Sequence, residues 1–335
     1  MIINESPRRT SKNFRINEFE IDEKVFKQKL TTYDSFTVDN INLKKIDNDI
    51  EIKYGVEKTN QINNGNFKYE LEIIDNSKYG IINFDIDKPL VDLIEININK
   101  DSNYLINYKS KNNCYHNGLI KVRVSDSVKS NIIVVNNMSI ESTSLISFDN
   151  ELNNDSVLNY LIVDLGGNNS VSNYYANLTG NNAKNTLNSV YIGEKNQVYD
   201  INYIIDIFGQ KCECDIDVQG SLKGESKKNF KGTIDFKKGC INSIGKENEY
   251  CVLLSDKVIS KSMPMLLCTE EDVVGEHATA SGKVNDKTLF YIMSRGISKK
   301  DAEKLIVKSN FNKLLNIIKD EKILEEINKI IDKKL

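Results

Sequence analysis

Between residues 119 and 209 short apolar runs follow one another: LIKVRV (119–124), NIIVVNN (131–137), SLISF (144–148), NYLIVDL (159–165), NSVSNYYANL (169–178), LNSVYIG (187–193) and INYIIDIFG (201–209). Asn, Gly, Asp and Ser fill the gaps, and apolar residues at helical spacing are missing. Many short strands at near-regular intervals with polar turns suit a β-solenoid, a sandwich or a barrel. The Asn-Tyr pairs Asn107-Tyr108, Asn159-Tyr160, Asn173-Tyr174 and Asn202-Tyr203 point toward stacked coils, although their period is not constant. In such a stack inward side chains bury on the coils above and below, and Asn suits the turns.

The flanks read differently. Residues 1–120 mix one helix candidate, Asn17 to Leu30, with extended stretches at 35–39, 51–56 and 68–75, an α/β segment leading into the core at 121–284. Residues 285–335 read as helical. Gly296 is placed to end a helix, and Ser298 with Asp301 forms a helix-start signal before the apolar residues that follow.

Composition narrows the functional classes. Hydrophobic residues make up 39% and charged residues 28%, which supports a packed core. A net charge of -3 gives no electrostatic reason for a nucleic-acid or membrane partner. The opening MIINESPRRTSK has no apolar core, and no run is long enough to span a bilayer, so a cytoplasmic protein is expected. Its six cysteines are then expected to be reduced thiols. No G-x-x-x-x-G-K-[ST] loop, G-x-S-x-G elbow or H-E-x-x-H motif occurs, so neither a P-loop ATPase nor those hydrolases is indicated.

Four segments together resemble one family. VQGSLKGESKKNFKGTIDF (218–236), NEYCVLLSDK (248–257), MPMLLCTEEDVVGEHATASGK (263–283) and LFYIMSRGIS (289–298), followed by Asp301-Ala302, occur in the order and near the spacing of the SufB/SufD proteins of iron–sulfur cluster assembly. GEKNQVYDINYIIDIFG (193–209) is similar to a further coil of that family, and PRRTSKNFRIN (7–17) resembles its opening more distantly. The resemblance implies a mainly β fold, a right-handed parallel β-helix with a C-terminal helical subdomain. It implies an iron–sulfur cluster scaffold, not itself an enzyme, that works with a SufC-like ABC ATPase. The ATPase would bind the segment containing Phe290, Tyr291, Met293, Arg295, Gly296 and Ile297. It further implies pairing of two SufB/SufD-type chains through the β-helix. Glu276-His277 resembles SufB while the surrounding frame is nearer SufD, so one chain serving both roles as a homodimer is expected.

The resemblance also points to cluster ligands. His277 matches the family's functional histidine, and Glu276 matches its acidic neighbour in SufB. Cys268 joins them as a third donor type, since thiolates suit iron–sulfur clusters and carboxylate or imidazole would make a site more labile. The essential cysteine of SufB aligns with Glu249. Either Cys251, two residues on, takes that role, or the chain uses Cys268 or receives sulfide directly. Other readings are plainer. Glu270, Glu271 and Asp272 read as a solvated turn and Cys212-x-Cys214 as structural thiols, with Cys240, after a Lys-Lys-Gly turn, placed one or two coils from them. Cys114 and His116 have metal-like spacing in a polar stretch with no further support. Leu289 to Ile292 could instead seal the β-helix end, and read as partly core and partly ATPase interface. Two rivals remain: a SufD-like subunit that docks the ATPase and helps iron entry without carrying a cluster, and a β-helix polysaccharide lyase.

Overall fold

The computed structural model describes residues 2–4, 19–51 and 59–335. The opening strands are β1 (Ile2–Ile3), β2 (Phe19–Glu20), β3 (Phe36–Asp39) and β4 (Ile41–Lys45), and helix α1 (Thr59–Asn63) follows. Next come β5 (Phe67–Ile73), β6 (Tyr79–Asp85), β7 (Leu90–Ile98), β8 (Ser102–Lys109), β9 (Tyr115–Val124), β10 (Lys129–Asn137), β11 (Thr143–Leu152) and β12 (Val157–Asp164). The strand series closes with β13 (Asn169–Leu178), β14 (Lys184–Gly193), β15 (Val198–Ile207), β16 (Glu213–Leu222), β17 (Lys227–Phe236), β18 (Ser243–Leu253), β19 (Ile259–Cys268) and β20 (Val273–Lys283). Even-numbered strands from β6 to β20 form one sheet and odd-numbered strands from β5 to β19 the other, with β3 and β4 as their first edges. Each strand from β7 onward therefore pairs in parallel with the strand two before it, as a β-solenoid requires.

The spacing of the coils explains the uneven period of the sequence. Tyr79 pairs with Asn103, 24 residues on, whereas Phe236 pairs with Cys268, 32 residues on. Extra residues are absorbed in the corners, and the strands stay in register. One corner repeats the same left-handed residue, at Ser127, Asp155, Asn182, Lys211 and Asn242. Each donates its N–H to a carbonyl of the next coil, those of Asn154, Asn181, Gln210, Ile241 and Asp272. Asn and Asp tolerate this backbone better than other residues with a Cβ.

The runs are continuously apolar because both faces of several strands are covered. In β10, Ile132 and Val134 point into the lumen core, while Ile133 and Val135 lie under the C-terminal helices. In β9, Ile120 and Val122 face the lumen, while Tyr115 and Leu119 pack beneath Ile3, Phe19 and Ile21. A strand buried on both sides loses its alternation. The lumen is rich in aromatic rings: Tyr160, Tyr174, Tyr203 and Phe230 succeed one another with centroids 5.2–6.1 Å apart. Outside it, Asn159 donates to Asn131 at 3.0 Å and Asn131 to Asn103 at 2.6 Å, an amide ladder across three coils.

Some expectations land elsewhere. Parallel stacking already begins with β5, so the boundary drawn at 121 falls inside the solenoid. Within the helix candidate 17–30 the chain forms β2 and a 3-10 turn, Glu23–Lys27, none of whose residues is buried. Without a buried stripe, so short a segment lacks the packing that sustains an α-helix. Residues 52–56 of the expected strand and the 7–17 motif lie outside the described residues.

Three helices complete the chain: α2 (Asp286–Met293), α3 (Lys299–Leu315) and α4 (Glu321–Lys334). Phe311, Leu314, Ile327 and Ile331 bury against the outer face of the even sheet. Gly296 adopts φ +85 after α2, and Ser298 caps α3 by accepting from Asp301 N at 3.2 Å. Among the described residues, no helix is long and apolar enough to cross a membrane.

Gly220 tests the packing of the lumen, because any Cβ there would collide with the Tyr191 ring. Gly220→Ala should cost about 1–3 kcal/mol in urea denaturation, the usual effect of overpacking. An unchanged midpoint would show that the ring is not held there.

Candidate functional site

The solenoid is closed by helices along its side but not at its C-terminal end. No described strand stacks on β19 or β20, and β20 is exposed over nearly its whole length. In-register parallel pairing fixes which side chains line this mouth. On β18, Ser243, Gly245, Glu247, Glu249 and Cys251 are buried and alternate with outward Ile244, Lys246 and Asn248. Their partners on β20 are Val273, Gly275, His277, Thr279 and Ser281, so these continue the inner face. Opposite them, Ser260 and Ser262 of β19 continue the column above Lys228 and Phe230. Ser260 and Ser281 bridge the mouth with a 2.8 Å hydrogen bond.

His277 therefore stands on the inner face directly above Glu247. Glu276 takes the opposite side of the strand, where its carboxylate lies 3.5 Å from Lys246 Nζ. Counting from the Ser260–Ser281 bridge, Cys268 faces Val273. That is four residues, about 13 Å of strand, from His277. Its thiol is exposed and donates to the Glu270 carbonyl at 2.8 Å. Cys251 lies beneath Ser281, one coil deeper and fully buried, and burial pushes its thiol up. Three of the four expected ligands are thus spread along the mouth, and Cys251 lies one coil below it. Among the described residues no three His, Cys, Asp or Glu side chains come close enough to hold a metal together.

Beneath the mouth lies a polar interior that the sequence reading did not single out. Lys228 and Glu249 form a fully buried ion pair at 2.8 Å. Ser262 Oγ donates to Glu249 at 2.9 Å and lies 2.8 Å from Lys228 Nζ, and the Tyr191 hydroxyl donates to Glu249 at 3.3 Å. With these partners Glu249 can remain charged without solvent; removing one member of such a pair costs about 3–5 kcal/mol. Glu247 is the opposite case. It is 0% exposed and has no side-chain hydrogen-bond partner among the described residues; the Met265 backbone N–H is turned toward its carboxyl. Burial pushes it up to about 8, and the Glu249 charge adds to the effect. Gly232 faces it, and any side chain there would collide with the carboxyl. The alternation from Ser243 to Cys251 places both glutamates on the Cys251 face, but only knowledge of which face is the lumen makes that meaningful.

The remaining singled-out residues separate clearly. Cys212, Cys214 and Cys240 are buried, with Cys212 and Cys214 packed in the lumen core and the Cys240 thiol raised to about 11 by burial. His116 is buried on β9, not in a loop, with Nε2 2.6 Å from Asp92, whose carboxylate also accepts from Tyr108 at 2.8 Å. Phe290 is 75% and Tyr291 58% exposed, so α2 does not seal the solenoid. Arg295 stacks over Tyr291 at 4.8 Å, and Met293 joins them on the exposed surface, with Ile297 half-buried after Gly296.

The SufBD core domain of the SUF system for FeS cluster assembly matches residues 91–310, from β7 into α3. The chain is 26% identical over 181 residues to the iron–sulfur cluster assembly protein SufD of Bacillus subtilis, covering 54% of this chain and 41% of that one. It is 30% identical over 165 residues to a SufBD family iron–sulfur cluster assembly protein of Pyrococcus horikoshii, covering 46% and 34%. With SufD of Escherichia coli it shares 24% over 163 residues, covering 49% and 38%. The matched stretch spans less than half the length of each of these relatives.

Glu247 makes stability depend on pH. Its folded pKa, about 8, lies above the ordinary 4.5, so the fold keeps the protonated acid. Stability from this group is full below pH 4.5, declines as the unfolded chain ionises, and levels off above 8. The slope is at most about 1.4 kcal/mol per pH unit. The Glu249 charge and the Met265 backbone N–H act on it and are common to wild type and variant. Urea denaturation from pH 5 to 8 should show a shallower decline for Glu247→Gln than for wild type; equal slopes would contradict this.

Proposed function

The chain belongs to the SufBD family, and on that premise we propose that it is a cytoplasmic scaffold subunit for iron–sulfur cluster assembly, working with a SufC-like ABC ATPase. The observation that carries this reading is the joint placement of family segments: the 263–283 segment forms the open last coil, and LFYIMSRGIS forms the projecting α2. An exposed coil end bearing an imidazole and, at its corner, a free thiol suits transient handling of iron and sulfide. A short helix with uncovered Phe290, Tyr291 and Met293 suits docking of another protein. The chain itself is read as non-enzymatic, nucleotide hydrolysis belonging to the partner.

Pairing of two such coil ends, in a homodimer or with a second SufB/SufD-type chain, would bring donors from two lips together. That matters because Cys268, Cys251, Glu276 and His277 do not meet within one chain. The same dispersal, with Glu249 paired to Lys228 where SufB has its cysteine, favours a second reading: a SufD-like subunit that docks the ATPase and assists iron entry without carrying the cluster.

Anaerobic reconstitution with the ATPase, iron and sulfide separates the two. A visible cluster spectrum that Cys268→Ser, Cys251→Ser or His277→Ala abolishes supports the scaffold. ATPase binding with no cluster in the wild type supports the SufD-like subunit. In the same preparations Phe290→Ala with Arg295→Ala should reduce ATPase co-purification at least tenfold. Full retention by the folded double variant would remove α2 from the interface.

A further inference from the structure

The corner through which β19 turns into β20 brings together thiols from successive coils. Cys268 ends β19 in register above Phe236, the last residue of β17. Cys240 lies in the corner that follows Phe236, one coil beneath, and packs in the lumen core. Stacked coils are about 4.8 Å apart. Three bonds tie the two corners on either side of Cys240. Thr269 donates its N–H to the Phe236 carbonyl at 2.9 Å, Gly239 donates to the Glu270 carboxylate at 2.9 Å, and Asn242 donates to the Asp272 carbonyl at 2.7 Å.

Glu270 borders both thiols. Its carbonyl accepts from the Cys268 thiol at 2.8 Å. Burial raises the Cys240 thiol, and the charges of Glu270 and Cys268 beside it add to that effect. Cys212 lies near the same corner, but its thiol donates down to the Gly180 carbonyl at 3.2 Å. Access also separates the pair: Cys268 is exposed and Cys240 is buried. An accessible thiol with a protected one behind it suits stepwise oxidation, the first being oxidised and the second resolving it.

We propose that Cys268 and Cys240 form a reversible, peroxide-driven disulfide that fastens the last coil to the solenoid and withdraws the Cys268 thiol from the open mouth. This goes beyond the cluster reading and does not depend on it. Cys268 gives its proton to water, and its sulfur attacks one oxygen of hydrogen peroxide. The O–O bond breaks, hydroxide leaves, and a sulfenic acid remains. The Cys240 sulfur then attacks the Cys268 sulfur, the S–O bond breaks, and the hydroxyl leaves as water with the Cys240 proton. Two thiols together lose two electrons, and one hydrogen peroxide becomes two waters. The second step is the slower one, because burial keeps Cys240 in its neutral form and the thiolate is the nucleophile. No described strand lies above β19 or β20, so the last corner is free to settle onto Cys240 as the bond forms.

Equimolar hydrogen peroxide added to the reduced full chain, followed by alkylation and trypsin digestion without reductant, tests this. Cleavage after Lys238, Lys246, Lys261 and Lys283 puts Cys240 in peptide 239–246 and Cys268 in peptide 262–283. The expected product is these two peptides joined, with loss of alkylation at both cysteines and its return after dithiothreitol. Cys240→Ser should stop the reaction at the Cys268 sulfenic acid, which dimedone traps. The wild type alone is enough to overturn the proposal. Cys268 oxidised to sulfinic acid while Cys240 is still alkylated would do so, as would Cys268 joined to any other cysteine or left unoxidised.

Discussion

Everything in this molecule depends on parallel, in-register stacking of one coil on the next. Each inward side chain rests on the equivalent side chain of the coil below, so burial and hydrogen bonding propagate along two nine-stranded sheets. The constraint has one unavoidable consequence. The final coil receives support from below and gives none above, so β19 and β20 expose groups that any other coil would bury. The chain uses that end for polar residues. Aromatic rings fill the middle of the lumen, and Lys228, Glu247, Glu249, Ser262, His277 and Thr279 gather toward its mouth.

Much of this was legible in the sequence, for physical reasons that can be named. Strands buried on both faces produce unbroken runs such as NIIVVNN, and left-handed corners produce their Asn and Asp residues, so a many-stranded β fold was legible, while the resemblance singled out the solenoid from sandwich and barrel. The Asn-Tyr pairs were only partly a guide. Asn173-Tyr174 does stack on Asn202-Tyr203, but Asn107-Tyr108 pairs with Val135-Asn136. Corners of differing length shift the phase of any sequence repeat without disturbing the sheets. The helix signals at Gly296 and Ser298 were correct because caps are local and need no knowledge of tertiary packing.

The site was less legible. Family segments located the last coil, but strand alternation sends Glu276 outward to Lys246 and His277 inward over Glu247. Two adjacent letters of one motif therefore face different environments. Glu249 and Lys228 were invisible as a pair for the converse reason. They lie in different segments, and only stacking makes neighbours of residues so far apart in the chain. His116 shows the same effect, since its partner Asp92 comes from the preceding coil.

The central claim is that the open lumen end, not one of the buried cysteine positions, is where this chain handles iron. Crystals soaked anaerobically with iron(II), with anomalous scattering collected at the iron edge, locate the metal directly. The account predicts a peak at the open mouth formed by β19 and β20, within bonding distance of His277 or Cys268. A peak at the corner occupied by Cys212 and Cys240, with none in the mouth, would contradict it.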